Sequence, residues 1–139
     1  MQFSIVGYGT FITRGLWKDK KNVEVCLVPD FIRIFPEGHW FPFALPFKDK
    51  SFWALKFEVN DQELKQLDYY EGVDSGLFKR IDTEIILKNN TKSSALIYIP
   101  TEKTIETLHL TPELDSEDRW KNEIRKNSEV VKKFPELLL

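Results

Sequence analysis

The chain of 139 residues carries 20 Lys and Arg against 22 Asp and Glu, which gives a formal net charge of −2 at pH 7. This near-neutral balance argues against a general nucleic-acid binder, whose surface normally has a basic excess. One cysteine excludes an internal disulfide framework and a cysteine-rich zinc site. The length fits one domain over residues 1–139, which can fold without a disulfide or a metal.

The sequence contains no apolar run of the roughly 18 residues that a membrane span needs. Its first residues, Met1 to Ser4, lack the charged region and the apolar core of a signal peptide. We therefore expect a soluble protein of a reducing cytoplasm, with no membrane and no nucleic-acid partner. Aromatic residues make up 14% of the chain, and because they bury large areas and suit pleated surfaces, they favour a β-rich core.

The first half of the chain predicts short strands separated by glycine, proline and charged turns. Residues 3–8 form the first strand, which stops at a Gly-Thr pair, and the polar residues 12–22 predict a loop. Residues 40–47 are apolar but include two prolines, so they predict an edge or irregular strand. Clearer strands are predicted at residues 23–28, 31–35 and 52–59.

The second half begins with a helix signal. Asn60 followed by Glu63 is the pattern of a capping box, and the helix that it starts extends to about Glu71, where Gly72 suits the position after the C-cap. Alternating residues and turn chemistry then predict a β-hairpin over residues 77–99.

The last third differs in character. A short strand is predicted at residues 105–110, followed by an amphipathic helix over about 115–134 with Ser116 as N-cap. Its apolar stripe recurs at helical spacing: Trp120, Ile124, Val131 and Phe134. The predicted fold class is α+β, a small β-barrel of mixed strands with a short helix and a C-terminal helix.

Glu71 is the first candidate for chemistry. At about 100° per residue, Leu64 and Leu67 mark the buried face of the predicted helix, and Glu71 falls between them. Burial and the negative end of the helix dipole both raise the pKa of a carboxyl there toward the value that a general base requires. The alternative is a helix that frays early and leaves Glu71 in solvent. Asp68, at the edge of this face, is interpreted as a local hydrogen-bond acceptor.

The segment Tyr8-Gly9-Thr10-Phe11 is the second candidate. A strand that ends in Gly-Thr exposes successive backbone N–H groups, and such a nest can hold a carboxylate or another oxyanion. The alternative is a plain turn from strand to loop.

Together these two segments resemble the γ-glutamylcyclotransferase-like family, which includes the AIG2-like proteins. Val-Gly-Tyr-Gly-Thr-Phe at residues 6–11 is similar to the family's Tyr-Gly-Thr-Leu or Tyr-Gly-Ser-Asn element. Leu-Asp-Tyr-Tyr-Glu-Gly-Val-Asp-Ser-Gly-Leu-Phe at residues 67–78 is similar to its Leu-Asp-x-x-Glu-Gly-Val-x-x-Gly-x-Tyr element. The resemblance covers residues 2–99 well and the C-terminal helix only loosely.

The resemblance implies a small β-barrel with flanking helices and an intramolecular reaction. The α-amine of a small γ-glutamyl substrate attacks its own γ-carbonyl, which forms 5-oxoproline and releases an amine or an amino acid, with no cofactor and no metal. The matched general acid/base is Glu71. The residues that the resemblance places around the substrate are Tyr8, Gly9, Thr10, Phe11, Phe78 and Tyr98.

Two positions depart from the family pattern. Phe11 stands where Leu or Asn is usual, and Phe78 stands where several members have Tyr, whose hydroxyl could bond to substrate or to Glu71. These departures leave open a non-catalytic binding module of the same fold that recognises a small carboxylate or amide ligand. Arg80 matches a frequent basic position of the family, or else pairs with Asp82 or Glu84 on a solvated face.

Two features bear on metals and on assembly. His39 and His109 are isolated from other ligand-type residues, so we expect no metal site. We expect a monomer or a homodimer. The apolar tail at residues 137–139 is expected to dock on the barrel or on a partner.

Overall fold

Five strands close into a barrel in this computed structural model, which describes residues 1–139. The strands are β1 (Phe3–Gly7), β2 (Lys21–Ile34), β3 (Phe43–Val59), β4 (Phe78–Leu87) and β5 (Lys92–Pro100). Their order around the barrel is β1-β3-β2-β4-β5. Neighbouring strands are antiparallel except β1 and β5, which pair in parallel through Ile5 and Leu96. The predicted small β-barrel of mixed strands is confirmed.

The two longest strands each replace two predicted ones. The strands predicted at 23–28 and 31–35 are one strand, β2, and most of 40–47 joins 52–59 in β3. The β2–β3 pairing shifts register between Pro29 and Phe31. This irregularity in the ladder accommodates Pro29, which has no backbone N–H to donate to the partner strand. Asp30 lies there with a φ of 62°. The barrel therefore has fewer and longer strands than the sequence predicts.

Helices and turns connect and cover the strands. The α-helices are α1 (Thr10–Thr13), α2 (Asp61–Tyr70), α3 (Glu102–Leu108), α4 (Trp120–Arg125) and α5 (Ser128–Lys133), and 3₁₀ turns lie at Leu16–Asp19, Pro112–Leu114 and Pro135–Leu138. None of these helices combines the length and the apolar character that crossing a membrane demands.

Helix α2 begins and ends where the sequence predicts. Asn60 Oδ1 accepts a hydrogen bond from the Glu63 N–H at 2.8 Å, and Glu63 Oε1 accepts one from the Asn60 N–H at 2.9 Å. This reciprocal pair is a capping box. Glu71 is the C-cap, and Gly72 follows it with a φ of 68°. Local sequence signals therefore define this helix at both ends.

Two other segments of the chain differ from prediction. The loop predicted at 12–22 contains the end of α1 and a 3₁₀ turn, and β2 already begins within it. The strand predicted at 105–110 is wrong, because most of that segment belongs to α3. Thr101 caps α3, since its Oγ1 accepts a hydrogen bond from the Thr104 N–H at 3.2 Å.

The single C-terminal helix predicted over about 115–134 is also wrong. It is two short helices, α4 and α5, which meet at Asn127. Ser116 is not an N-cap; the buried carboxylate of Asp115 instead accepts hydrogen bonds from the Glu117 N–H at 3.1 Å and the Arg119 N–H at 2.9 Å. This acceptor organises the turn that leads into α4.

The buried apolar side chains form two clusters. The smaller one consists of strand residues and Tyr8, and it fills the barrel around side chains such as Cys26 and Ile97. The larger one joins strand residues to helix residues such as Leu64 and Ile124, so it lies between barrel and helices. Leu137 is fully buried in this second cluster, which docks the C-terminal tail on the barrel.

Candidate active site

A cavity of about 160 Å³ lies where the end of β1, the turn before β3, the end of α2 and the start of β4 meet. All seven residues predicted for the site line it: Tyr8, Gly9, Thr10, Phe11, Glu71, Phe78 and Tyr98. The fold thus brings the two sequence motifs to one place, although they are far apart in the chain.

The loop after β1 is one turn of helix. Gly9 is the N-cap of α1, and its carbonyl accepts hydrogen bonds from the Ile12 N–H at 2.9 Å and the Thr13 N–H at 3.4 Å. The amides of Gly9, Thr10 and Phe11 precede the first bonded donor of the helix, so they are left available to a ligand. An anion at such a helix start is favoured by the amide dipoles.

Glycine is required at two positions beside this turn. A Cβ on Gly7 would lie 2.6 Å from Phe11 Cδ1, and one on Gly9 would lie 2.9 Å from Pro42 Cδ. The Phe11 ring is held in turn by stacking on Phe57, with ring centroids 3.9 Å apart. The two missing side chains therefore let a phenylalanine and a proline pack directly against the backbone of the loop.

Glu71 lies in the cavity at the end of α2. Its N–H donates to the Leu67 carbonyl at 2.8 Å, so the helix does not fray before it. Its carboxyl is half-buried beside apolar side chains, and this burial raises its pKa to about 7. A carboxyl with that pKa can both accept and return a proton near neutral pH.

Tyr98 is fixed by a polar network. Its hydroxyl donates to Asp68 Oδ1 at 2.7 Å, and Arg80 donates to both Asp68 oxygens, at 2.6 and 3.0 Å. Arg80 therefore pairs with Asp68 and with neither Asp82 nor Glu84. Burial alone would raise the pKa of Asp68, but the hydrogen bonds from Arg80 and Tyr98 outweigh it and hold that pKa below its usual range. Burial and the bond to Asp68 raise the pKa of the Tyr98 hydroxyl.

The Tyr8 side chain has a structural place in the barrel. Its hydroxyl donates to the Tyr98 carbonyl at 2.6 Å, and its ring packs edge-on against Phe52 with centroids 5.8 Å apart. Burial, and then the negative charge of Glu71, raise the pKa of the Tyr8 hydroxyl. Tyr8 therefore ties the end of β1 to β5 and stays protonated.

Arg33 is a residue that the sequence reasoning missed. Its side chain is buried in β2, and its Nη1 donates to the Tyr8 carbonyl at 2.9 Å. Its Nε and Nη2 donate to the two carboxylate oxygens of Asp118 at 2.7 and 2.8 Å. Because a peptide unit is planar, holding the Tyr8 carbonyl also fixes the direction of the Gly9 N–H. A lone arginine in an apolar strand is the only sequence signal for this contact.

Aromatic residues build the remaining wall. Phe78 is buried, and its ring stacks with Phe43 at a centroid distance of 5.8 Å. Trp40 is 60% exposed at the rim, with the Arg14 guanidinium 4.8 Å from its ring centroid. Across the cavity, Thr10 Oγ1 and the Tyr70 hydroxyl are 3.1 Å apart, which joins the loop to α2.

Metal-ligating side chains do not gather anywhere in the structure. No three His, Cys, Asp or Glu residues are close enough together to hold an ion.

Comparisons with known proteins agree with this fold. The family model for gamma-glutamyl cyclotransferase, AIG2-like, matches residues 8–122. A protein of Arabidopsis thaliana with a solution structure has a TM-score of 0.67 and 17% identity over 95% of this chain and 87% of its own. A gamma-glutamyl cyclotransferase has a TM-score of 0.65 and 16% identity over 96% and 80%. An AIG2-like protein of Mus musculus has a TM-score of 0.59 and 20% identity over 81% and 82%. No curated protein matches the sequence.

Proposed function

Because the chain belongs to the gamma-glutamyl cyclotransferase, AIG2-like family, we propose that it cyclises a γ-glutamyl amide to 5-oxoproline and releases an amine or an amino acid. Glu71 is the general acid/base of this reaction. The observation that carries the proposal is a carboxyl with a pKa raised to about 7 by burial, in the same cavity as the amides of Gly9, Thr10 and Phe11.

The reaction follows from proton transfer at Glu71. The carboxylate takes a proton from the α-ammonium of the substrate, and the free amine attacks the γ-carbonyl carbon. As the carbonyl re-forms, the attacking nitrogen loses a second proton to water and the bond to the leaving nitrogen breaks. Glu71 returns its proton to that nitrogen, which departs as an amine. No oxidation or reduction occurs, so the chemistry requires no redox cofactor.

The amides of the loop supply electrostatic stabilisation to the reaction. The N–H groups of Gly9, Thr10 and Phe11 suit either the substrate carboxylate or the oxyanion that forms on the γ-carbonyl. Arg33 supports this arrangement by its hydrogen bond to the Tyr8 carbonyl. Holding the substrate folded, with its amine next to its own γ-carbonyl, supplies further rate enhancement by proximity.

The experiment is direct. The protein is incubated with γ-glutamyl compounds of amines and amino acids, and 5-oxoproline is measured. Glu71→Gln keeps the size of the side chain but removes the base, so turnover is expected to fall by about 100-fold or more. The matched control is Glu84→Gln, which neutralises an exposed carboxylate on β4 and leaves turnover unchanged. Full activity of Glu71→Gln beside an active wild type would show that the base is a different group.

The second candidate is a binding module of the same fold without turnover. It is favoured by Phe78, which has no hydroxyl at the position where, by the resemblance, several members of the family have tyrosine. Calorimetric binding of a γ-glutamyl compound without formation of 5-oxoproline over long incubation would support it. The Phe78→Tyr variant then tests why the wild-type protein lacks turnover. A gain of turnover in that variant would assign the lack of activity to the missing hydroxyl.

A further inference from the structure

The end of α2 carries two carboxyl groups, and only one of them lines the cavity. Glu71, the C-cap, lines it, whereas Asp68 lies three residues earlier and does not. Asp68 reaches the cavity wall through Tyr98, whose hydroxyl donates to Asp68 Oδ1 at 2.7 Å. Arg80 stands directly opposite Tyr98 in the β4–β5 pairing and donates to both carboxylate oxygens of Asp68. Tyr98 is therefore the one member of this network that lines the cavity.

The network fixes which partner carries the shared hydrogen. Burial raises the pKa of Asp68 less than the hydrogen bonds from Arg80 and Tyr98 lower it, so Asp68 is ionised at neutral pH. An ionised carboxylate can only accept, so the hydrogen belongs to Tyr98 and points at Asp68. Burial, and then the bond to Asp68, raise the pKa of Tyr98, which keeps the hydroxyl protonated. The Tyr98 oxygen therefore has only lone pairs left for a ligand in the cavity.

Stability alone gives little reason for this network. The side chains of Arg80 and Asp68 are 33% and 22% exposed, and ion pairs that solvent reaches contribute little to folding. What the network adds is a fixed direction for one hydroxyl hydrogen in the wall of the cavity.

The cavity consequently separates hydrogen-bond donors from acceptors. The amides of Gly9, Thr10 and Phe11 are donors, and they suit the carboxylate or the oxyanion of a γ-glutamyl group. Glu71 and the Tyr98 oxygen are acceptors, and the α-ammonium is the part of that group that only donates. The α-ammonium therefore has two partners in the cavity.

We infer that Asp68 is a positioning residue: it turns the Tyr98 hydroxyl hydrogen away from the cavity, so that the Tyr98 oxygen accepts a hydrogen bond from the α-ammonium of the γ-glutamyl group. Glu71 takes one proton of that ammonium, and the bond to Tyr98 holds a second N–H, which aims the freed lone pair at the γ-carbonyl carbon. Tyr98 itself gains and loses no proton. This inference rests on the proposed cyclisation and deepens it, because it assigns the residues that orient the attacking nitrogen.

A double-mutant cycle tests the inference with wild type, Tyr98→Phe, Asp68→Leu and the double variant. The substrates are γ-glutamyl-ethylamine and γ-glutamyl-alanine, and 5-oxoproline is measured. Tyr98→Phe removes the acceptor, and Asp68→Leu frees the hydroxyl hydrogen to turn into the cavity, so each is expected to lower kcat/KM by about tenfold or more. Because Asp68 acts through Tyr98, adding Asp68→Leu to Tyr98→Phe should cost no more than about twofold.

Two further variants serve as controls. Asp82→Leu makes the same change at an exposed carboxylate on β4 and should leave turnover unchanged. Arg80→Met breaks the ion pair but keeps the bond between Asp68 and Tyr98, so it should cost clearly less than Asp68→Leu. Urea unfolding shows that each variant is folded, and Asp68→Ala replaces Asp68→Leu if the leucine is not accommodated.

A ligand without the α-ammonium separates positioning from a merely structural role. Glutaric acid monoethylamide is γ-glutamyl-ethylamine with hydrogen in place of the ammonium, so it cannot cyclise and is measured as a competitive inhibitor. Its inhibition constant should stay within about twofold of wild type in Tyr98→Phe and Asp68→Leu, while kcat/KM falls. Full activity of Asp68→Leu, independent losses in the double variant, an equal loss in Arg80→Met, or a parallel weakening of the inhibitor each overturn the inference.

The failure of the proposed cyclisation has a different signature. If the wild-type protein forms no 5-oxoproline, calorimetry measures the Kd values of γ-glutamyl-ethylamine and glutaric acid monoethylamide. The inference then expects the γ-glutamyl compound to bind about tenfold or more tightly than its partner, and Tyr98→Phe and Asp68→Leu to remove most of that difference. Equal Kd values in wild type, or no binding of the γ-glutamyl compound, overturn it.

Discussion

The Arg33 guanidinium and the Asp118 carboxylate form two hydrogen bonds of 2.7 and 2.8 Å, with side-chain exposures of 0% and 15%. Arg33 lies in β2, whereas Asp118 lies just before α4 with a φ of 52°. Because Arg33 also holds the Tyr8 carbonyl, this ion pair links the C-terminal region to the loop of the candidate site. The region around Asp118 therefore supports the site without touching the cavity.

Asp118→Asn is expected to destabilise the protein by about 3 kcal/mol, because it leaves the guanidinium of Arg33 buried without a counter-charge. Asparagine tolerates the positive φ, so the variant isolates the loss of charge. Urea unfolding measures the effect, with Glu117→Gln as the neighbouring exposed control. Arg33→Met together with Asp118→Asn removes both charges and should be more stable than Asp118→Asn alone. A single variant as stable as wild type would contradict the burial argument.

Glu71 gives a pH-dependent prediction for stability. Burial raises its pKa from 4.5 to about 7, so the folded protein binds this proton more tightly than the unfolded chain does. Stability contributed by this group is therefore present at low pH and falls, by about 3 kcal/mol, as pH rises between those values. The Glu71→Gln variant does not lose stability in this way, because its side chain carries no charge. In urea unfolding, the variant should be more stable than wild type at pH 8 but not at pH 4.5. An identical difference at both pH values would show that Glu71 titrates normally.

The same carboxyl predicts the acid limb of the activity. A general base acts when it is unprotonated, and the pKa of Glu71 is raised by burial to about 7. The value of kcat/KM for a γ-glutamyl amide should therefore rise tenfold per pH unit below that pH and level off above it. An acid limb centred near pH 4.5 would mean that the base is an ordinary exposed carboxylate.

Gly7 and Phe11 should be energetically coupled. Gly7→Ala places a Cβ 2.6 Å from the Phe11 ring, so it is expected to cost about 1–3 kcal/mol by overpacking. Phe11→Leu makes room for that Cβ, and the double variant should be more stable than the sum of the two single effects by about 0.5 kcal/mol or more. Thermal or urea unfolding of all four proteins measures the coupling, and strict additivity would show that the ring does not meet the new methyl group.

The parts of the fold that sequence predicted are those with short-range signals. Asn60, Glu63 and Gly72 define both ends of α2 through contacts a few residues apart. Once that helix is placed, the helical period alone puts Glu71 on the same face as Leu64. The barrel class follows from many short alternating segments and aromatic residues.

The parts of the structure that the sequence did not predict depend on residues distant in the chain, or on side chains that compete with the backbone for hydrogen bonds. The sequence predicts separate strands at 23–28 and 31–35, but a shift in the β2–β3 register lets one strand continue through Pro29. The C-terminal apolar stripe has helical spacing, yet Asn127 interrupts it, with its side chain donating to the Glu123 carbonyl at 3.0 Å. Arg33 and Asp118 are far apart in the sequence and meet only in the folded chain, so no local pattern predicts that pair.

The closure of the barrel through β1 and β5 sets the order in which the protein matures. The ribosome makes β1 first, but one edge of that strand meets its partner only when Leu96 of the last strand arrives beside Ile5. Contacts so distant in sequence form slowly, and an unpaired edge is open to association with other chains until they do. Tyr98, which lines the cavity, comes with that last strand. A nascent chain therefore already carries the loop amides and Glu71, but the cavity around them is completed only after nearly the whole barrel has been synthesised.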